Sequence, residues 1–382
     1  LPPNENRRFL DLQQECSQVR NLWLPDGGPG VRFSLCWGAA TGSDESRTRN
    51  EGRGKLTNPE PPQPPWGLNP RSKGSNSGLA RLRFRRIIHA VTDDVRIPCH
   101  DEQLAAYVYW PGTTQGDAPC VVMAHGYSGT REDGLPGYAE AFRDAGFVVV
   151  LFDYRHFGAS TGEPRQLLHI ARQLGDYRAV IGWARDLDGV DPERIVLWGS
   201  SFAGGHVLTL AAADARIAAV ISQAPHIDSI PTIMAMPPRS IARLVGAALR
   251  DQLGAWLGRP PRTVPVFGDP GTLAMITAPG SWETFAKVVG PTWRNEFAAR
   301  VFLPFAFYRP GLKTKHLKMP LLMCVCDQDE TTPMAAAVKA AERAPRAKLR
   351  HYPYGHFDIY LDPQVKADQV AFLQRTVLGV SA

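Results

Sequence analysis

After residue 80 the chain alternates short unbroken apolar runs with stretches in which apolar residues recur every three to four positions. "RIIHAVT" (86–92) and "LAAYVYW" (104–110) read as a pair of opening strands, and "CVVMAHG" (120–126) as a buried strand stopped by glycine. "GYAEAFRDAG" (137–146) has helical spacing and a glycine stop, and "FVVVLFDY" (147–154) is another buried strand. A helical pattern covers 166–187, followed by the strand "RIVLWG" (194–199), a helix over 202–213 and the strand "IAAVISQAP" (217–225). Near the C-terminus come "PLLMCVCD" (320–327), an Ala-rich helix over 333–344, "KLRHYPYG" (348–355) and an amphipathic helix over 362–378.

Strands that are apolar along their whole length need cover on both faces, which a mostly parallel sheet flanked by helices provides. The predicted fold class is therefore α/β, with a doubly wound, mostly parallel sheet. Between the strands at 217 and 320 lie about 90 residues that break the rhythm, rich in Pro, Met, Trp and Phe and including the helical stretch "SIARLVGAALRDQLGAWLG". That is too long for a bare loop. It is read as a helical cap, 227–318, inserted into a core made of 81–226 and 319–382.

Residues 1–80 have another texture, dominated by Gly, Pro, Asn, Ser and Arg without apolar periodicity, and "PEPPQPP" favours polyproline II. They are predicted to be a disordered, low-complexity leading segment. Leu1 in place of a starting Met is compatible with a fragment, a processed form or an extended reading of the gene.

Charge changes the picture only there. The whole chain of 382 residues carries a formal +6. Residues 1–86 hold 14 Lys/Arg against 8 Asp/Glu, which is the whole excess, and the rest has 29 of each. A neutral body lacks the footprint of a nucleic-acid binder. The six cysteines, at 16, 36, 99, 120, 324 and 326, form no CxxC pair and have no His at zinc-finger spacing, so they read as small buried hydrophobes in a reducing compartment, with no metal or cofactor expected. The first 30 residues lack the apolar core of a secretory signal, and no run of about 18 apolar residues would span a bilayer. The expected location is cytoplasmic.

Candidate chemistry concentrates in "RIVLWGSSFAGGHVL" (194–208), where two serines stand between a strand and a helix with almost no loop. A turn this tight strains its central residue and needs small neighbours. Laid with its first Gly on Gly199, the pattern G-x-S-x-G puts the nucleophile on Ser201, with Ala203 in place of the last Gly; Ser200 would need the bulky Trp198 as the first Gly. A serine hydroxyl needs an imidazole to take its proton, and the imidazole a carboxylate to orient it. In chain order, "CVCDQDETTP" offers Asp327 and Asp329, of which Asp329 lies in the loop beyond the strand end and is preferred. "YPYGHFDIY" offers His356 after a strand-end Gly, whereas His351 falls inside the strand. Oxyanion charge requires preorganised donors, here the backbone NH groups of Tyr127, in "MAHGYSG", and Phe202. His125 reads as a structural residue of that loop.

Together "AHGYSG", "DYRHFGASTGEP", "LWGSSFAGG", "CDQDETTP" and "YGHFDIY" resemble the α/β-hydrolase superfamily over roughly 83–382, and more loosely its dienelactone-hydrolase-like and acyl-peptidase-like branch near fungal polyketide transferases. The resemblance implies an α/β-hydrolase fold and a serine hydrolase that cleaves a small-molecule ester or thioester through an acyl-enzyme on Ser201. Three other readings stay open: an acyltransferase with the same triad, a peptidase or carbon-carbon hydrolase, and a non-catalytic binding module. Apolar residues of the cap, among them Met234, Met236, Trp256, Trp282, Phe285, Trp293, Phe302, Phe305 and Phe307, are candidate liners of an acyl pocket.

Overall fold

The structure, a computed structural model, describes residues 92–112 and 116–380. The leading segment 1–80 and most of the first expected strand, 86–91, lie outside the described residues. The partner of the strand at 104–110 is instead β1 (Thr92–Cys99), which pairs antiparallel with β2 (Glu102–Tyr109). Its sequence, TDDVRIPC, alternates exposed polar positions with more buried ones, as an edge strand with one wet face does, so a search for continuous apolar runs passes over it.

β3 (Ala118–Ala124), β4 (Val148–Phe152) and β5 (Val190–Ser200) follow, with α1 (Pro136–Asp144) and α2 (Ile170–Arg185) between them, then α3 (Phe202–Ala211) and β6 (Ile217–Gln223). Every residue of β3 and β4 is buried, as their Val-rich sequences require. The insertion between β6 and β9 carries α4 (Ser229–Met234), α5 (Pro238–Trp256), a short β7 (Thr263–Val264) paired with β8 (Phe297–Ala298), α6 (Ser281–Phe285) and α7 (Phe302–Phe305). The core resumes with β9 (Leu321–Cys326), α8 (Met334–Arg343), β10 (Ala347–Tyr352) and α9 (Pro363–Leu373).

The main sheet has eight strands in the order β1-β2-β4-β3-β5-β6-β9-β10, antiparallel at β1, β2 and β4 and parallel from there on. The path from β3 to β4 runs toward one edge, and from β4 onward it reverses across β3 to β5. Right-handed crossovers then place the helices of the two directions on opposite faces. Trp198 of β5 shows one of these faces: it packs on Tyr138 of α1 with ring centroids 5.3 Å apart and donates Nε1–H to Gln369 Oε1 of α9 at 2.7 Å. Reversal creates a switch point between β3 and β5, the place where such sheets bind ligands at their carboxyl ends. The register levels those ends, since Ala124 pairs with both Phe152 and Gly199, and Ser200 with Gln223.

The insertion is braced within itself and packed on the core. Asp251, fully buried on α5, accepts from Arg300 Nε at 2.8 Å and from the Arg262 backbone NH at 2.6 Å. Phe267, Phe285 and Trp293 of the insertion pack with Phe357 of the core in one aromatic cluster, Phe285 and Phe357 having centroids 5.3 Å apart. Among the described residues no helix is long and apolar enough to cross a membrane. Cys99, Cys120, Cys324 and Cys326 are buried free thiols.

Candidate active site

Ser201 stands between β5 and α3 with φ 55° and ψ −118°, a conformation that side-chain-bearing residues seldom adopt. The surrounding small residues make it accessible to the chain. A Cβ at Gly199 would come 2.3 Å from the Ala203 carbonyl oxygen, so no side chain fits there. Backbone bonds fix the turn: the Ser201 NH donates to Gln223 O at 2.8 Å and Ser201 O accepts from the His226 NH at 2.8 Å.

The structure brings Ser201, His356 and Asp329 together across 155 residues of sequence separation. His356 Nε2 lies 3.0 Å from Ser201 Oγ, and its Nδ1 lies 2.7 Å from Asp329 Oδ2. Asp329 Oδ1 also accepts the NH groups of Thr331 and Thr332 at 2.8 and 2.7 Å, and Oδ2 the Thr332 hydroxyl at 2.8 Å. Burial opposes the charge of Asp329, but His356 and the Thr332 donors outweigh it and hold the carboxyl below its ordinary range. Asp327 instead pairs with the half-exposed His351, at 2.7 Å. His156, His169 and His351 take no part in this cluster.

The loop after β3 runs directly over Ser201: a Cβ at Gly126 would stand 2.9 Å from Ser201 Cβ. Tyr127 follows it, and Phe202 is the first residue of α3, where the helix gives a backbone NH no partner. His125 is buried behind this loop, its Nδ1 3.0 Å from Gly126 O and its Nε2 3.4 Å from the Tyr154 NH. Burial lowers its pKa to about 4, so the ring is neutral and serves as a strut.

Two cavities meet at Ser201, Tyr127 and Ile276. The narrower encloses about 40 Å³ and has aromatic walls, Phe267, Phe285, Trp293, Phe357 and Tyr360. The wider, about 220 Å³, is lined by Met236, Met275, Ala278 and Phe305, with Glu330 and Thr332 among its polar residues. Of the cap residues read as liners, Met236, Phe285, Trp293 and Phe305 reach a cavity, Phe302 is buried elsewhere, and Met234, Trp256, Trp282 and Phe307 face solvent. Among the described residues no group of His, Cys, Asp or Glu is placed to hold a metal ion.

Several supporting groups escaped the sequence reading. Asp153, at the end of β4, accepts the NH groups of Arg131 and Ala159 at 2.7 and 3.0 Å and so pins the loop that carries Tyr127. Asp133 bridges that loop to the insertion, accepting from the Thr130 NH at 2.6 Å and the Gly290 NH at 2.7 Å. Burial pushes these carboxyls up, to about 6 for Asp153 and about 7 for Asp133. A strand-end Asp in "LFDY" was a visible signal for the first; nothing in "REDG" tells that the third residue reaches the insertion.

A family model described as alpha/beta hydrolase fold matches residues 119–363. The quorum-quenching protein AidA of Acinetobacter baumannii is 43% identical over 289 residues, covering 74% of this chain and 95% of AidA. Polyketide transferase af380 of Aspergillus fumigatus is 30% identical over 286 residues, covering 73% of this chain and 89% of its own. In three dimensions the chain is similar to the alpha/beta hydrolase GrgF of a Penicillium species, with TM-score 0.66 at 23% identity, over 75% of this chain and 99% of GrgF.

Proposed function

This chain belongs to the α/β-hydrolase fold family, and on that footing we propose that it is a serine hydrolase cleaving a carboxylic ester or thioester through an acyl-enzyme on Ser201. The observation that carries this reading is the continuous line from Ser201 Oγ to His356 Nε2 at 3.0 Å and from His356 Nδ1 to Asp329 at 2.7 Å.

Neutral His356 takes the Ser201 proton as Oγ attacks the acyl carbonyl. Asp329 accepts from Nδ1, which leaves Nε2 free to act as base, and it stabilises the imidazolium that forms. Oxyanion charge is met by the NH groups of Tyr127 and Phe202. The C–O or C–S bond then breaks, with His356 protonating the leaving group. Water attacks the acyl-enzyme with the same imidazole as base, and the acid and Ser201 hydroxyl are released. The two cavities that diverge at Ser201 accommodate the two sides of the scissile bond, and the insertion acts as a cap that supplies their outer walls.

Acyl transfer to a second substrate is the other reading with support, since af380 is named a polyketide transferase and an acceptor could use one arm of the divided site.

A fluorophosphonate probe labels Ser201 in the wild type, and Ser201→Ala abolishes both labelling and hydrolysis of short acyl esters; labelling that persists in the variant overturns the assignment. A panel of esters, thioesters and quorum signals, run with and without added alcohols and amines, separates hydrolysis from transfer by its products.

A further inference from the structure

Helix α5 is apolar on two opposite faces. Its inner face buries Leu244, Ala247 and Ala248 beside the Asp251 ion pair with Arg300. On the outer face Leu249, Leu253 and Trp256, spaced i, i+4, i+7, form a stripe that Leu257 completes, with exposures of 49, 54, 74 and 70%. A surface helix of a globular protein needs one apolar stripe, turned to the core. Among the described residues the second stripe is left exposed.

Its flank is basic. Arg239, Arg243 and Arg250, spaced i, i+4, i+11, fall along one line of the helix, and Arg259 follows its end; all four are exposed. Arg243 donates to the Gly271 carbonyl at 2.7 Å, and among the described residues none of the four arginines is within ion-pair distance of a carboxylate. Asp251 is the sole acid between 229 and 268, and it is buried on Arg300. Exposed Asp269, two residues before the carbonyl that Arg243 meets, is the one acid beside the four arginines, so the face offers apolar surface edged by a net positive charge.

That composition decides between occupants. A second copy of this chain in a two-fold contact would present the same patch, with one carboxylate, Asp269, against four arginines. An anionic lipid surface satisfies both features at once, with acyl chains for the stripe and phosphates for the guanidinium groups. We propose that the outer face of α5 docks on the surface of an anionic phospholipid bilayer, Leu249, Leu253 and Trp256 entering the boundary between headgroups and acyl chains. Met236 and Pro237, which line the wider cavity, lie just before this helix, so docking brings that cavity toward the bilayer. The proposal does not depend on the chemistry assigned to Ser201.

Co-sedimentation of the full chain with vesicles of phosphatidylcholine mixed with phosphatidylglycerol, and of phosphatidylcholine alone, tests it. Wild-type protein sediments with the mixed vesicles, and about tenfold less with the neutral ones. The variants L249Q/L253Q/W256Q and R239Q/R243Q/R250Q, all at exposed positions, keep the wild-type unfolding midpoint and each lose about tenfold or more in partitioning. Failure of the wild type to bind overturns the proposal, as does undiminished binding of the apolar variant, which would assign lipid contact to another region such as the basic leading segment. A wild-type dimer that L249Q/L253Q/W256Q converts to monomer in analytical ultracentrifugation would give the stripe to a second copy instead.

Discussion

Tyr360 donates its hydroxyl hydrogen to Ser200 Oγ at 2.6 Å, tying the segment that begins at His356 to the residue before Ser201. Gln223 Nε2 donates to the same oxygen at 3.3 Å, and Gln223 Oε1 accepts from Gln369 Nε2 at 2.7 Å, so β6 and α9 join the same buried network. Hydrogen-bonded networks that are satisfied in a dry interior are rigid, and removing one member leaves the others exposed to the cost of an unmade bond. Tyr360→Phe is therefore expected to lower stability by about 1–2 kcal/mol. Because the tie sets the spacing of Ser201 and His356, kcat falls more than KM rises. Thermal unfolding and ester kinetics check both, and a variant indistinguishable from wild type would show that the two segments are held by other contacts.

Asp329 and Asp327 are two residues apart and have different partners. Asp329→Asn offers His356 Nδ1 an amide in place of a charged acceptor and is expected to lower kcat by roughly 10³–10⁴. Asp327→Asn disturbs only an exposed pair with His351 and changes kcat by about twofold at most. Equal losses in the two variants would remove Asp329 from the proposed triad.

The pH dependence of stability follows from buried groups of opposite sign. Burial lowers His125 to about 4 and His206 and His226 to about 3, so between those values and 6.5 the unfolded chain binds protons that the folded one refuses. Their contribution to stability is lost as pH falls through this window. Asp133 and Asp153 act the other way: raised to about 7 and about 6, they bind protons in the folded state between 3.8 and those values, so their contribution is lost as pH rises. Burial also lowers His156 and His169, so the lowered histidines outnumber the raised carboxyls, the unfolded chain holds the excess of bound protons near pH 5–6, and stability falls as pH drops. The unfolding midpoint should drop between pH 6.5 and 5; a midpoint that rises instead would mean that the carboxyls dominate.

The elements of the sheet were legible wherever burial was two-sided. "CVVMAHG" and "FVVVLFDY" became β3 and β4, and the stretch around "RIVLWG" became β5, because strands covered on both faces are apolar throughout and fold identically in many contexts. β1 was missed because its cue is alternation, which its charged face dilutes. The tight turn at Ser201 was also a local property, written in Gly199, Ala203, Gly204 and Gly205.

Sequence by itself determined the α/β rhythm, the place of the sharp turn, and the presence of acid and imidazole beyond the later strands, since each depends on a few neighbouring residues. Tertiary structure alone decided that Asp329 faces His356 while Asp327 turns to His351, and that Asp133 reaches Gly290. It also decided which aromatic residues of the insertion line a cavity and which face solvent. Apolar spacing records that a side chain is to be covered, but the partner that covers it comes from chain closure over a hundred residues or more, and a one-dimensional pattern carries no record of that choice.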